Sequence, residues 1–119
     1  LDTRSQESES QLKFLLEKAP QSAYIHFSLG NLYANQGRWT PAQQAYFDAY
    51  RYDSKKADYA YNLAISLDQL NQSAAALNYY QTALQLARTQ AVSFNSKAIQ
   101  RRVQTLLNHT QTKALSTSP

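Results

Sequence analysis

Apolar positions recur along most of the chain at helical rather than alternating spacing. Leu29, Leu32 and Tyr33 form one such stripe, and Leu63, Leu67 and Leu70 form a second. Ala42, Ala45 and Ala49 line one face of the segment between them, and Ala76 and Ala83 repeat part of that face. The pattern predicts paired helices joined by short turns at Gln36-Gly37-Arg38 and Leu70-Asn71-Gln72, where Gly and Asn suit a left-handed helix terminus. Thr40-Pro41-Ala42-Gln43 reads as a helix start, with Thr as cap, Pro at the first helical position and Gln closing a capping box; Ser73 is the equivalent cap one unit later.

The units repeat without a gap. Ala23–Lys56 superposes on Ala57–Gln90 at an offset of 34 residues, pairing Leu29 with Leu63, Gly37 with Asn71, Ala42 with Ala76, Tyr46 with Tyr80 and Ala49 with Ala83. One period back, Leu12 falls under Tyr46, Leu15 under Ala49 and Pro20 under Ser54, so the N-terminal segment is the second half of an earlier unit. At the other end Val92, Ile99, Val103 and Leu106 form a stripe with Phe94, Ala98 and Leu107 beside it, while Arg101, Arg102 and Gln104 lie opposite. One apolar and one polar face are what a terminal capping helix requires. Leu1–Glu7 either extends the first helix or is disordered, and from Thr110 to Pro119 no apolar pattern survives.

These residues carry a family resemblance. His26-x2-Leu29-Gly30-x2-Tyr33 followed by Ala42-x3-Tyr46, and Ala60-x2-Leu63-Ala64-x2-Leu67 followed by Ala76-x3-Tyr80, resemble the tetratricopeptide signature, with its period of about 34 residues. His26 and Ala60 replace the signature Trp, Ala64 its Gly in the second copy, and Ser54 and Arg88 its Pro. The expected fold is all-α: a tetratricopeptide-type helix–turn–helix solenoid of a half repeat, two full repeats and a capping helix. Its divisions are 1–22 (second helix of a preceding repeat), 23–56, 57–90, 91–109 (cap) and 110–119 (flexible tail). Five helices are expected, antiparallel to their neighbours, in a short right-handed superhelix.

Composition narrows the chemistry. The 119 residues are 43% apolar and 17% charged, enough for a packed core and too little charge for a disordered tail. Two glycines and three prolines argue against a loop-rich β fold. No apolar run is long enough to cross a bilayer, and the domain is expected to be soluble as given. Cysteine is absent, which excludes disulfides, thiolate nucleophiles and Cys-bound zinc. His26 and His109 are far apart with no second ligand at metal spacing, no Gly-rich phosphate loop exists, and the serines lack a His/Asp set. The chain therefore reads as no enzyme, with no metal, no cofactor and no small-molecule substrate. Methionine is absent and the chain starts at Leu1, so an excised fragment is expected, with any membrane segment outside it.

Net charge is +4, and every charged residue after Asp68 is basic, which leaves an acidic partner or surface open. Tyr52 and Tyr59 beside Lys55-Lys56 make a small aromatic–basic patch suited to stacking bases.

Binding is what the resemblance implies. In tetratricopeptide proteins the first helix of each repeat lines a concave groove for an extended peptide or a partner helix. By that resemblance the groove displays Tyr24, Phe27, Asn31 and Asn35, then Asp58, Tyr61, Asn62, Ile65, Asp68 and Gln69. Asn side chains match a peptide backbone and the aromatics give area at low entropy cost. Asn31 and Asn62 match the asparagines of the family's carboxylate clamp, but Phe27 stands in place of its first lysine, which disfavours a chaperone-tail clamp. The reading is a non-enzymatic scaffold for a protein or peptide partner. A structural spacer or self-association module and a basic nucleic-acid binder are its alternatives, with nucleic acid disfavoured. Tyr61–Asp68 and the capping helix are also similar to repeat regions of bacterial type IV pilus-biogenesis and secretion proteins. That similarity implies pilus or secretion machinery assembly, a membrane anchor outside this chain, and periplasm over cytoplasm.

Overall fold

The computed structural model describes residues 2–116, with side chains through 111; Leu1 and the last part of the expected tail, 117–119, lie outside the described residues. Six α-helices account for most of it: α1 (Thr3–Lys18), α2 (Ala23–Asn35), α3 (Trp39–Tyr52), α4 (Ala57–Gln69), α5 (Ser73–Leu86) and α6 (Ser96–Ser116), with a 3-10 turn at Ala87–Thr89. The expectation of five is corrected to six: a half repeat, two pairs and a cap add up to one helix more. No strand occurs among the described residues, and no described helix is long and apolar enough to cross a membrane.

The turns within the two hairpins are built alike. Gly37 has φ +70° and Asn71 φ +62°, the left-handed conformation expected of both. Arg38 N–H donates to Tyr33 O and Gly37 N–H to Ala34 O (both 2.9 Å); Gln72 N–H donates to Leu67 O (2.9 Å) and Asn71 N–H to Asp68 O (3.0 Å). Both are Schellman turns, which satisfy the last carbonyls of one helix. The next helix starts at once, and this corrects the expected caps. Arg38 and Gln72 are the N-cap positions, neither with a side-chain capping bond, so Thr40 and Ser73 already lie inside their helices. Pro41 falls at the third helical position, where its missing N–H still has no intrahelical partner to lose. Side-chain caps appear instead at three other helix starts: Asp2 accepts from Ser5 N–H (2.7 Å), Ser22 from Ile25 N–H (3.4 Å) and Asn95 from Ala98 N–H (3.1 Å).

Small residues set the packing. Ala42, Ala49, Ala57, Ala60, Ala64, Ala76 and Ala83 are fully buried, which lets the helices approach closely around Tyr46, Leu63 and Tyr80. At Gly30 the approach is close enough that a Cβ there would lie 2.6 Å from the Tyr46 ring. The helices form two layers. α2 meets α4 through Phe27–Tyr59, and α4 meets α6 through Asp68–Arg102 and the segment before α6 through Tyr61–Phe94, while α3 meets α5 through the edge-to-face pair Tyr50–Tyr79.

The C-terminal segment departs from expectation. Val92 sits at helical spacing with Ile99, yet the chain is non-helical from Gln90 to Asn95 and α6 begins only at Ser96. Side-chain bonds hold it so: the Gln90 amide donates to Lys55 O and accepts from Ala57 N–H (3.0 Å), tying the segment across the α3–α4 turn. At its other end the α6 backbone continues helical through 110–116, where a flexible tail was expected.

Candidate protein-interaction face

Tyr24, Phe27, Asn31 and Asn35 recur on one side of α2, and Asp58, Tyr61, Asn62, Ile65, Asp68 and Gln69 on one side of α4. The contact of Phe27 with Tyr59, with ring centroids 4.7 Å apart, sets the two helices side by side. Their side chains then fall into two groups.

The first group is engaged internally. Asn31 Oδ1 accepts from the buried Tyr46 hydroxyl at 2.7 Å. Asn62 Nδ2 donates to the Asp58 carbonyl of its own helix (2.8 Å), while the Asp58 carboxylate accepts from Ser93 N–H (3.1 Å) and Ser93 Oγ (2.9 Å). Tyr61 stacks on Phe94 with centroids 4.5 Å apart and planes 20° from parallel. Asp68 takes two bonds from the Arg102 guanidinium (2.8 and 2.7 Å) and a third from the Tyr80 hydroxyl (2.8 Å). Phe27 and Ile65 are half-buried against the core. The second group is open. Tyr24 is 71% exposed, and Asn35 and Gln69 are exposed at the far ends of their helices.

Ser93, Phe94 and Arg102 are therefore part of this face, although the sequence pattern assigns Arg102 to the polar side of the cap. The signal available for it was the period itself, since Arg102 follows Asp68 by 34 residues. Its guanidinium is held by an internal carboxylate, so it gives no support to a clamp for a partner's carboxylate.

The electrostatics follow from these contacts. The Arg102 bonds hold the Asp68 carboxyl below the usual aspartate range despite partial burial, and Asp68 in turn raises Arg102. Burial pushes the Tyr46 phenol up to about 12, and burial with the adjacent Asp68 carboxylate raises Tyr80 further. Burial also raises Tyr59 and Tyr61.

The aromatic–basic patch is corrected. Tyr59 is only 6% exposed and packs on Phe27, so its ring offers no stacking surface. Tyr52 stacks on His26 (5.5 Å) under the Arg51 guanidinium (4.7 Å). His26 itself packs between helices as expected, with Nε2 donating to Pro20 O (2.8 Å) and Nδ1 3.9 Å from Asp48. No group of three or more His, Asp or Glu side chains among the described residues is placed to hold a metal ion.

Two layers of antiparallel helix pairs, repeated at 34 residues with like turns, define a tetratricopeptide-type repeat domain. No family model matches the chain, and no curated protein matches it. Solved structures do match in fold. The type III secretion translocator chaperone SycD of Yersinia enterocolitica is similar with a TM-score of 0.78, at 15% identity over 91% of this chain and 75% of that one. PcrH, solved in complex with the chaperone-binding region of PopD, gives 0.72 at 18% identity over 93% and 81%. The Sgt2 TPR domain from Aspergillus fumigatus gives 0.71 at 13% identity over 99% and 86%. The likeness is one of fold, and it bears out the all-α tetratricopeptide architecture.

Proposed function

We propose that this domain is a protein-interaction scaffold whose α2–α4 face receives a peptide or helix of a partner protein. The observation that carries the reading is the open row on that face: Tyr24 stands 71% exposed, and Asn35 and Gln69 present free amides at the same face's far end. An exposed aromatic with amides that both donate and accept is suited to anchoring a peptide backbone. PcrH, similar in fold, was solved with a protein segment bound, which supports the same use of the fold here. Repeats at 23–56 and 57–90, flanked by the half repeat 1–22 and the cap, are the units of the scaffold. Within the face, Asn31, Asp58, Tyr61, Asn62 and Asp68 shape and rigidify the platform, Phe27 and Ile65 form its apolar floor, and Tyr24, Asn35 and Gln69 meet the partner. Assembly of a pilus or secretion machine is the setting favoured by the resemblance of Tyr61–Asp68; the secretion chaperone SycD, similar in fold, adds to it.

The test is capture of partners from an extract of the source cells by wild type and by a Tyr24→Ala/Asn35→Ala/Gln69→Ala variant. All three residues are exposed, so the variant keeps its helical circular dichroism. A partner held by wild type and lost by the variant supports the proposal. A partner held equally by both places the site elsewhere and removes it.

A further inference from the structure

The surface between α5 and α6 carries charge of one sign. α5 has no charged side chain, and the chain beyond Asp68 has no acidic one. The two acids of α4 are engaged, Asp58 by Ser93 and Asp68 by Arg102. Arg88, Lys97 and Arg101 are exposed, and among the described residues none of them has an ion-pair partner. Elsewhere the signs are balanced locally: Arg51 lies 3.2 Å from Asp48 on α3, and Lys13 lies 2.9 Å from Glu9 on α1.

An open hollow of about 490 Å³ lies between the two helices. Gln81, Gln85 and Arg88 form one wall, Ser96 and Gln100 the other, with half-buried Leu84 between them. Lys97, Gln100, Arg101 and Gln104 recur at three- and four-residue spacing on α6, so the two cations run along the rim beside Gln100. Gln100 and Arg102 are about 200° apart around the helix, so the hollow opens on the side of α6 away from Asp68. Its residue types do not suit a further apolar helix. On α3 the equivalent places hold Phe47 and Tyr50, and Tyr50 packs on Tyr79 of the next helix in its layer. On α5 they hold Gln81 and Leu84, flanked by Gln85 and Arg88, with Gln100 opposite, and burying such polar groups without partners costs free energy.

The complement of this surface is an extended acidic peptide. Lys97 and Arg101 are about 6 Å apart along the helix axis, and alternate side chains of an extended chain are about 7 Å apart on one side. Carboxylates at every second position therefore meet successive cations in charge-assisted bonds. The exposed amides of Gln81, Gln85 and Gln100 both donate to and accept from peptide groups. No aromatic ring lines the hollow, so nucleic-acid bases have nothing there to stack on. We infer that the α5–α6 hollow and its rim bind an acidic, extended segment of a partner protein, with Arg88, Lys97 and Arg101 holding its carboxylates. The site shares no residue with the α2–α4 face, and does not rest on the reading of that face.

Fluorescence anisotropy on the full chain at physiological salt tests it, with labelled probes: a peptide alternating Glu and Ser, its Gln/Ser counterpart, and a single-stranded oligothymidylate. The expected result is that the Glu peptide binds more tightly than either of the others. Arg88→Gln/Lys97→Gln/Arg101→Gln raises its dissociation constant by at least about tenfold. Arg4→Gln/Lys13→Gln/Lys18→Gln removes as many charges from α1, beyond the screening length, and changes it by less than about twofold. Gln81→Ala/Gln85→Ala weakens binding with no change of charge. All these positions are exposed, and unchanged circular dichroism verifies the fold. A Glu peptide bound no better than its Gln counterpart, equal losses from the two charge variants, an unaffected Gln81→Ala/Gln85→Ala variant, or tighter binding of the oligonucleotide overturns the inference.

Discussion

Gly30 and Ala64 occupy equivalent places one period apart, and both are buried. At Gly30 the Tyr46 ring leaves no room for a methyl group, so Gly30→Ala is expected to destabilise the fold by about 1–3 kcal/mol in urea unfolding, through overpacking against a rigid ring. Removing the partner of that tyrosine has a different cause and a similar size. Asn31→Ala leaves the buried Tyr46 hydroxyl without its acceptor and costs about 1–3 kcal/mol by the same measurement. Asn31 is thus a poor probe of partner binding, since its loss weakens the platform first. The titrating groups give opposite limbs. The Asp68 pKa is lowered in the fold, so its contribution is present above the unfolded value of 3.8 and is lost as pH falls through the lowered one. Asp68→Asn should therefore lower stability at neutral pH and flatten the loss below about pH 4. Tyr46 and Tyr80 are raised, so their contribution is complete below about pH 10 and is lost as pH climbs toward the folded values. Alkaline unfolding followed by circular dichroism should shift to higher pH in Tyr80→Phe.

At the scale of elements, what could be read beforehand was the helix content and the turn positions, because both are set by nearby residues. Gly37 and Asn71 lie where the stripes break, and only such residues adopt the conformation that the turns need. The helix starts were displaced because the last residue of each Schellman turn also serves as the next N-cap, a compression that leaves Thr40 and Ser73 no terminal N–H to cap. The late start of α6 was illegible for another reason. Val92 keeps helical spacing with Ile99, and the long-range bonds of Gln90 and Ser93 override it. The same limit applies to the candidate face. Periodicity placed its residues on common sides of α2 and α4, but gave no sign of what covers Asp58, Tyr61 and Asp68, which is the segment Ser93–Arg102. That segment should loosen as a unit: Phe94→Ala is expected to raise amide exchange through α6 more than through α2 and α3, at a cost of about 3–5 kcal/mol.

Across the whole molecule, two layers of helices make a platform 53 × 33 × 21 Å, whose α2–α4 face is rigid at its centre and open at Tyr24, Asn35 and Gln69. A binding face needs both properties, since preorganised side chains lose less freedom when a partner arrives. The basic C-terminal helix ties into that platform through Arg102, which reduces the free positive charge available for other partners. Whether partners meet this face or the opposite layer is read by placing a photo-reactive phenylalanine at Tyr24 and, separately, at Phe47, an exposed aromatic on α3, and irradiating living source cells. A discrete protein adduct from position 24 that is absent from position 47 is the predicted result. Adducts from position 47 alone would contradict it.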